Sequence, residues 1–417
     1  MSEEKNQEMN GEQGEQAGAA SPVFGLVRLV LIVILVCWLL FTFLKSNPRV
    51  QAMLQKWSDA QTGAVGGILS VSGETMGTYW NVKVSNPSKR WNDARLADTV
   101  QGILDNADRL MSAYKEDSDV SRFNASGSAD WFSVSPETAQ AADIAQKAAA
   151  ATGGALDITV APLVNFWKFG PDKKPLDTFP SDAEIAAVRA RTGYEKLEVR
   201  LDPPALKKSD PELTVDLSAV AKGAAVDTVA ARLNEEVQKG EMSGFMAEVG
   251  GEVRCGGIKG FLEPGAPQKG ILPWTMGIER PVNSSPSVAG EEPDAVPQLA
   301  RVVRVTDGSI ATSGGAKNAL EIGGKRFSHI IDPVTGKPTE LADGAAQVGS
   351  VSVFLDTCGE ADAYATAFFV LGPEKGIPLA DRLGIPVLYL MKNGDGPFRE
   401  IPSRDFEKID SDPVASE

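Results

Sequence analysis

The sequence predicts an α+β fold, mixed and antiparallel sheets packed with helices, preceded by one N-terminal transmembrane helix. Apolar residues alternate at Tyr79, Trp80, Val82 and Val84 and again at Val351, Val353 and Leu355, the period of strands. Leu96, Val100, Ile103, Leu104, Ala107, Leu110 and Met111 follow the i, i+3, i+4, i+7 spacing of an amphipathic helix. Helices and strands are interspersed with hairpins and no segment repeats, which suits α+β better than a doubly wound parallel sheet.

Taken in order, residues 1–22 are acidic and nearly free of apolar side chains, the composition of a disordered tail. The run 23–44 carries one charge, Arg28 near its start, and at about 1.5 Å per residue it can cross a bilayer core of roughly 30 Å. It is too long for a cleaved signal peptide and no small-residue cleavage site follows it. Leu35-Val36-Cys37-Trp38 lacks the small residues of a lipoprotein box, so an uncleaved anchor is expected. Residues 45–70 read as a linker, 71–402 as the folded domain and 403–417 as a polar, acidic C-terminal tail.

Within the domain, Asn92 caps the first helix. Ser135-Pro136 opens a second and Gly153-Gly154 ends it. Ser181 with Glu184 forms a capping box, with Gly193 as the stop. A strand is expected at 213–217, a helix over 219–237, and a strand at 245–249 running into Gly250-Gly251. Residues 256–298, rich in Gly and Pro, read as loops around one short strand at 274–278. A hairpin follows, 318–322 and 326–331 joined by Gly323-Gly324. The last helix runs over 360–371 and closes at Gly372.

Composition excludes several functions. Lys and Arg number 41 against 56 Asp and Glu, a net charge of −15, which argues against nucleic acid as the main partner. Three cysteines exclude a disulfide-stapled scaffold. With one histidine, His329, no Cys/His zinc site can be assembled, so a metal here would be held by oxygen, as Mg²⁺ or Ca²⁺ are. Neither a P-loop nor a dinucleotide-binding glycine motif is present.

Four clusters remain as candidates for chemistry. Asp362 and Thr366 share a helix face and offer hard oxygens, or belong to a solvent face. Asp216-Leu217-Ser218-Ala219 with Lys222 is either a helix-start phosphate site or an ordinary N-cap with a surface lysine. Thr312-Ser313-Gly314-Gly315 precedes Ser328-His329-Ile330-Ile331-Asp332-Pro333, where His329 is a catalyst or a satisfied core residue. Gly250-Gly251 permits close approach of a ligand, or is a β-bulge.

Together these clusters resemble the ApbE family of FAD:protein FMN transferases. The resemblance spans roughly residues 74–372. It includes Glu74-Thr75-Met76-Gly77-Thr78, Met111-Ser112-Ala113-Tyr114, Ser121-Arg122-Phe123-Asn124 and Leu156-Asp157-Ile158-Thr159. It continues through Val215-Asp216-Leu217-Ser218-Ala219-Val220-Ala221-Lys222-Gly223, Val249-Gly250-Gly251-Glu252, Ala311-Thr312-Ser313-Gly314, 328–333 and Glu360-Ala361-Asp362. The resemblance implies an ApbE/T-fold-like fold. It also implies Mg²⁺ held by Asp362, Thr366 and the backbone oxygen of Ala219. FAD would contact Met76, Tyr114, Ala155, Leu156, Asp157, Asp216, Lys222 and Ile331. Lys222 and His329 would be catalytic, with His329 acting on the phosphate or the attacking hydroxyl. The implied reaction moves FMN from FAD to a threonine of a target protein and releases AMP. The implied targets are flavin-carrying subunits of membrane electron-transfer complexes.

Two features depart from the family pattern. An aromatic and basic stretch usually follows the Thr-Ser-Gly motif, whereas this chain has Gly315-Ala316-Lys317-Asn318-Ala319. Many relatives carry a second Asp where this chain has Ala365. The segment 59–65 resembles the acceptor consensus but ends in Val65, so self-flavinylation there is not expected. An FAD pyrophosphatase and a non-catalytic flavin-binding protein are the alternative functions. Lys45, Arg49 and Lys56 after the apolar run argue for a cytoplasmic domain by charge. The resemblance argues instead for a single-pass inner-membrane protein with its domain outside the cytoplasm.

Overall fold

A computed structural model describes residues 64–414 except 66, 171–175, 177, 263–269, 282–297, 316–318, 323, 342–345 and 394–397. The chain divides at Val65, and the architecture below is that of the unit from Val65 onward. The expected acidic tail, the run 23–44 and most of the linker lie outside the described residues. Among those described, no helix is long and apolar enough to cross a membrane.

The centre is an eight-stranded sheet in which every neighbouring pair is antiparallel. Its strands are β1 (Ile68–Thr75), β2 (Thr78–Ser85), β5 (Gly244–Val249), β6 (Glu252–Gly257), β9 (Gly308–Gly314), β13 (Ala346–Leu355), β14 (Val387–Asn393) and β15 (Arg399–Pro402). They lie in the order β15-β14-β13-β9-β6-β5-β2-β1. Between them come the small strands β3 (Leu197–Leu201) and β4 (Pro204–Lys208), β7 (Trp274–Glu279) and β8 (Leu299–Val305), and β10 (Leu320–Ile322), β11 (Lys325–Asp332) and β12 (Lys337–Glu340). Seven helices matter here: α1 (Asp93–Met111), α2 (Asp119–Ala125), α3 (Pro136–Thr152), α4 (Ala161–Phe166), α5 (Asp182–Arg189), α6 (Ala221–Gln238) and α7 (Cys358–Leu383).

Both faces of the central sheet are covered, and the period-2 pattern assigns each side chain to one of them. Ala311, Val351, Val353, Val387 and Tyr389 pack against α7 through Ala361, Ala365, Phe368 and Phe369. Their neighbours Cys255, Ile310, Phe354, Leu388 and Leu390 face the other way, onto Trp274, Met276 and Ile278 of β7. This explains why β14 reads as a continuous apolar run instead of alternating. Each fully buried Leu or Phe contributes roughly 1.5–3 kcal/mol relative to exposure. On the helical face, Val82, Val84, Phe245, Ala247 and Val249 join Leu96, Val100 and Leu104 of α1 and Val226, Val229 and Leu233 of α6 in the largest core.

Most expected elements are present, with their caps. Asn92 accepts from the Arg95 N–H, and Ser135 caps α3, which ends at Gly153 in the left-handed conformation. The capping box at Ser181 and Glu184 is made, although α5 ends at Arg189, ahead of Gly193. The helical backbone breaks at Gly372 as expected (φ 66°, ψ 170°), and a second helical stretch follows it to Leu383.

Some expectations need correcting. Residues 213–217 alternate like a strand but pair with none: Leu213, Val215 and Leu217 point into the core, and the backbone is held by side chains and turn bonds together. The following helix starts at Ala221, not at 219. Gly250-Gly251 is a hairpin turn rather than a bulge, with φ of 60° and 100° between Val249 and its partner Glu252. The region 256–298 holds more strand than expected, including 260–262 and 271–272. The C-terminal segment is no loose tail up to residue 414. Phe406 is buried, Ser403 bonds Val387, and Ser411–Pro413 pairs with β8.

A buried carboxylate ties α2 to α3. Asp119 accepts from the Ser135 N–H at 2.7 Å, the Thr138 hydroxyl at 3.0 Å and Arg122 at 2.5 Å. Burial acts against the charge, but these donors outweigh it and hold the carboxyl below the ordinary aspartate value. A depressed folded pKa adds stability above the unfolded value, and that stability is lost as pH falls through the folded one. Asp119→Ala should therefore cost about 3 kcal/mol at pH 7, because it strands buried donors. The loss should shrink below pH 4, as measured by urea unfolding across pH.

Candidate active site

Three elements converge on one ammonium group. Lys222, in the first turn of α6, places Nζ 3.2 Å from Glu252 Oε1 and 3.5 Å from Asp362 Oδ2. Glu252 begins β6, where Val253 and Cys255 face the β7 side; strand alternation therefore turns Glu252 toward the helices. Its other oxygen accepts the Thr312 N–H of β9 at 3.2 Å. Asp362 lies in the first turns of α7, and its Oδ2 accepts the Gly223 N–H at 3.1 Å. Both carboxylates are buried, at 4% and 3% exposure.

Glycine makes this approach possible. A Cβ on Gly223 would lie 2.3 Å from the Cys358 carbonyl, so any side chain there would push α6 off α7. Gly250 sits between Lys222 and the β1–β2 turn. A Cβ on it would be 2.9 Å from Thr78 and 3.5 Å from Lys222 Cδ, and its positive φ already favours glycine.

The electrostatics are those of a cluster short of positive charge. Burial acts against the Lys222 ammonium, yet Asp362 and Glu252 outweigh it and hold it above the ordinary lysine range. Glu252 is pushed up to about 7, by burial first and the Asp362 charge second, with Lys222 pulling it back. Burial raises Asp362 as well. One cation facing two buried carboxylates leaves an excess that a proton or a further cation corrects.

An added cation would find oxygen donors. Asp362 and Thr366 lie one turn apart on α7, and the Thr366 hydroxyl is 3.2 Å from that of Ser313. Gly223 lies in the first turn of α6, where backbone N–H groups have no helical acceptor, and Asp362 takes up its N–H. Among the described residues no group of three or more His, Cys, Asp and Glu is placed to hold a metal. An ion at this position would find the Asp362 carboxylate and the Thr366 hydroxyl, oxygen donors of the kind Mg²⁺ takes. Ala365 is buried in the core beside them, and its side chain offers no oxygen.

The other expected site residues fall into groups. His329 is on β11, which packs on α7. Burial, then the Lys222 charge, pushes it down to about 4, so it is neutral at pH 7, and its Nδ1 is buried without a hydrogen-bond partner. Ala155, Leu156 and Asp157 form a buried loop after α3. Asp157 Oδ1 accepts the Thr159 N–H and hydroxyl at 2.7 and 2.6 Å. The Asp216 N–H donates to Ile158 O at 2.7 Å, which joins this loop to 213–217. Neither Asp216 nor Ser218 caps α6; Asp216 instead accepts the Ser218 N–H at 2.8 Å in a turn of its own. Tyr114 is exposed and feels the Asp216 charge. Met76 makes the β1–β2 turn at φ 49°. Ile331 is buried among Leu163, Trp167 and Phe327, so its side chain is a core residue. Glu252 was not expected as a site residue, although it directly follows the two glycines. Cys255 and Cys358 are free and buried.

The family model for the ApbE family matches residues 76–389. The chain belongs to the ApbE family. It is 38% identical over 337 residues to the FAD:protein FMN transferase of Vibrio cholerae, covering 81% of this chain and 91% of that protein. It is 36% identical over 357 residues to the Escherichia coli K12 protein of the same name, covering 85% and 92%. Among solved structures, it matches the flavin transferase ApbE from Vibrio cholerae with a TM-score of 0.66 and 35% identity, over 83% of this chain and 100% of that one. It matches the apo form of the Pseudomonas stutzeri flavinyl transferase ApbE with a TM-score of 0.67 and 30% identity, over 83% and 97%. The α+β fold with antiparallel sheets is thus the family's.

The charge balance sets a test. Lys222→Met, which leaves two carboxylates buried without a cation, should lower stability by about 3–5 kcal/mol at pH 8 without divalent metal. Adding Glu252→Gln should return a large part of that loss in urea unfolding. Strictly additive losses would show that the three groups are not coupled.

Proposed function

We propose that this protein transfers FMN from FAD to a threonine hydroxyl of an acceptor protein and releases AMP. The observation that carries the reading is the meeting of Lys222 with the buried Asp362 and Glu252 at the start of α6, in a chain of the ApbE family. The acceptor oxygen forms a bond to the phosphorus on the FMN side, and the bond linking that phosphorus to the AMP oxygen breaks. Such a transfer depends on alignment and charge neutralisation more than on covalent help from the protein. The threonine comes from the partner, so the chain needs no nucleophile of its own.

Each residue has a part in this reading. Asp362, Thr366 and the Ala219 carbonyl would hold Mg²⁺, which when bound supplies charge neutralisation at the diphosphate. Lys222 presents a fixed positive charge to the same bridge. His329, neutral with an unpartnered ring nitrogen, would face the phosphate or the attacking hydroxyl. Met76, Tyr114, the Ala155-Leu156-Asp157 loop, Asp216 and the backbone around Ile331 would line the dinucleotide. The likeness to relatives named FAD:protein FMN transferase supports this assignment.

The acceptors on this reading are flavin-carrying subunits of membrane electron-transfer complexes. The apolar run 23–44 would anchor the chain in the inner membrane with its domain outside the cytoplasm. A reporter fused after Glu417 should then be active outside the cytoplasm; activity only inside it would refute that orientation.

Incubating the protein with FAD, Mg²⁺ and an acceptor domain should give a flavin-fluorescent acceptor band in a denaturing gel. Asp362→Ala should slow its formation roughly a thousandfold, equivalent to about 4 kcal/mol. No band with intact acceptor would refute the transfer. AMP formed without acceptor would favour hydrolysis.

A further inference from the structure

The segment 213–217 carries Asp216 into the site, yet it belongs to no sheet. Its side chains alternate inward and outward like a strand's, so its inward backbone groups need partners from elsewhere. Two side chains supply those of Val215 and of the Leu213 carbonyl, while the Leu213 N–H goes to Asp210 O. Asn124, near the end of α2, donates from Nδ2 to Val215 O at 2.8 Å and accepts the Val215 N–H on Oδ1 at 2.7 Å. One amide side chain thus takes the place of a neighbouring strand's peptide group. Lys208, the last residue of β4, is fully buried. Its Nζ donates to Leu213 O at 3.0 Å and to Phe123 O at 3.1 Å, and it lies 4.9 Å from the Phe123 ring centroid. Its hydrogen bonds go to carbonyls and not to a carboxylate, and burial pushes its pKa down. Burying an ammonium costs free energy, which its two carbonyl hydrogen bonds offset in part.

We infer that Asn124 and Lys208 are positioning residues that suspend 213–217 between α2 and β4, and so set Asp216 against the Asp157 loop for FAD. Neither touches the reacting atoms. The inference rests on the reading that FAD binds this site. Its geometry is a hanger: Lys208 fixes Leu213, Asn124 fixes Val215, and Ile158 O receives the Asp216 N–H at 2.7 Å. Beyond it, Leu217 O accepts from Val220 and Ala221, so α6 and Lys222 start from the same support.

Full-length Asn124→Asp and Lys208→Met should be compared with the unaltered protein by titrating FAD and following flavin fluorescence. Asn124→Asp keeps the shape but sets an oxygen against Val215 O; Lys208→Met keeps most of the stem and removes the donor. Each should weaken FAD at least about tenfold at a temperature where it remains folded. Amide exchange should rise within 209–222 and stay unchanged in β1 and β2. In the unaltered protein, FAD should slow exchange across 209–222. Folded variants with unchanged FAD affinity, or no slowing there on adding FAD, would overturn the inference. Unaltered protein that fails to bind FAD would remove the functional reading and this inference with it. Binding without transfer to an acceptor would remove only the transferase assignment.

Discussion

An ammonium held between two buried carboxylates is the constraint on which the site depends. Lys222, Glu252 and Asp362 come from α6, β6 and α7, the last of them distant in sequence from the other two. Removing such charges from water is costly, and the cost is offset only if the partners meet with good geometry. The rest of the structure meets that condition. Gly223 lets α6 lie against the start of α7, Gly250 lets the hairpin turn pass close to Lys222, and Thr312 of β9 donates to Glu252. Asp227 of α6 closes the same contact by accepting the Cys358 and Gly359 amides at 2.9 and 2.8 Å.

The cluster is under-compensated, and that suits a site that handles diphosphate. A fully neutral arrangement would have no electrostatic use for a divalent ion. Here one positive charge serves two carboxylates, and Asp362 also takes up the Gly223 N–H. His329 belongs to the same electrostatic field, because the Lys222 charge helps keep it neutral. Neutral imidazole and fixed ammonium are thus produced together.

Much of this was legible in the sequence, for physical reasons that differ between elements. α1 and α3 were legible because their caps and apolar spacing are local signals. Asp362 and Thr366 were legible as a pair because helical spacing places them on one face. The segment 213–217 misled because alternation reports only that one side is buried and says nothing of what pairs with the backbone; here Asn124 does, from 91 residues away. The C-terminal residues misled because their composition is polar while one aromatic, Phe406, carries the packing. Glu252 was not singled out because its role depends on which strand face it occupies, and that is set by the β5–β6 register.

The most direct measurement is a crystal structure of the protein soaked with FAD and Mg²⁺. An ion should appear bound to the Asp362 carboxylate, the Thr366 hydroxyl and the Ala219 carbonyl at about 2.0–2.1 Å, with the diphosphate against it. The Lys222 ammonium should stand beside that bridge. A dinucleotide bound elsewhere, or one bound here with its phosphates turned away from Asp362, would contradict the proposed site.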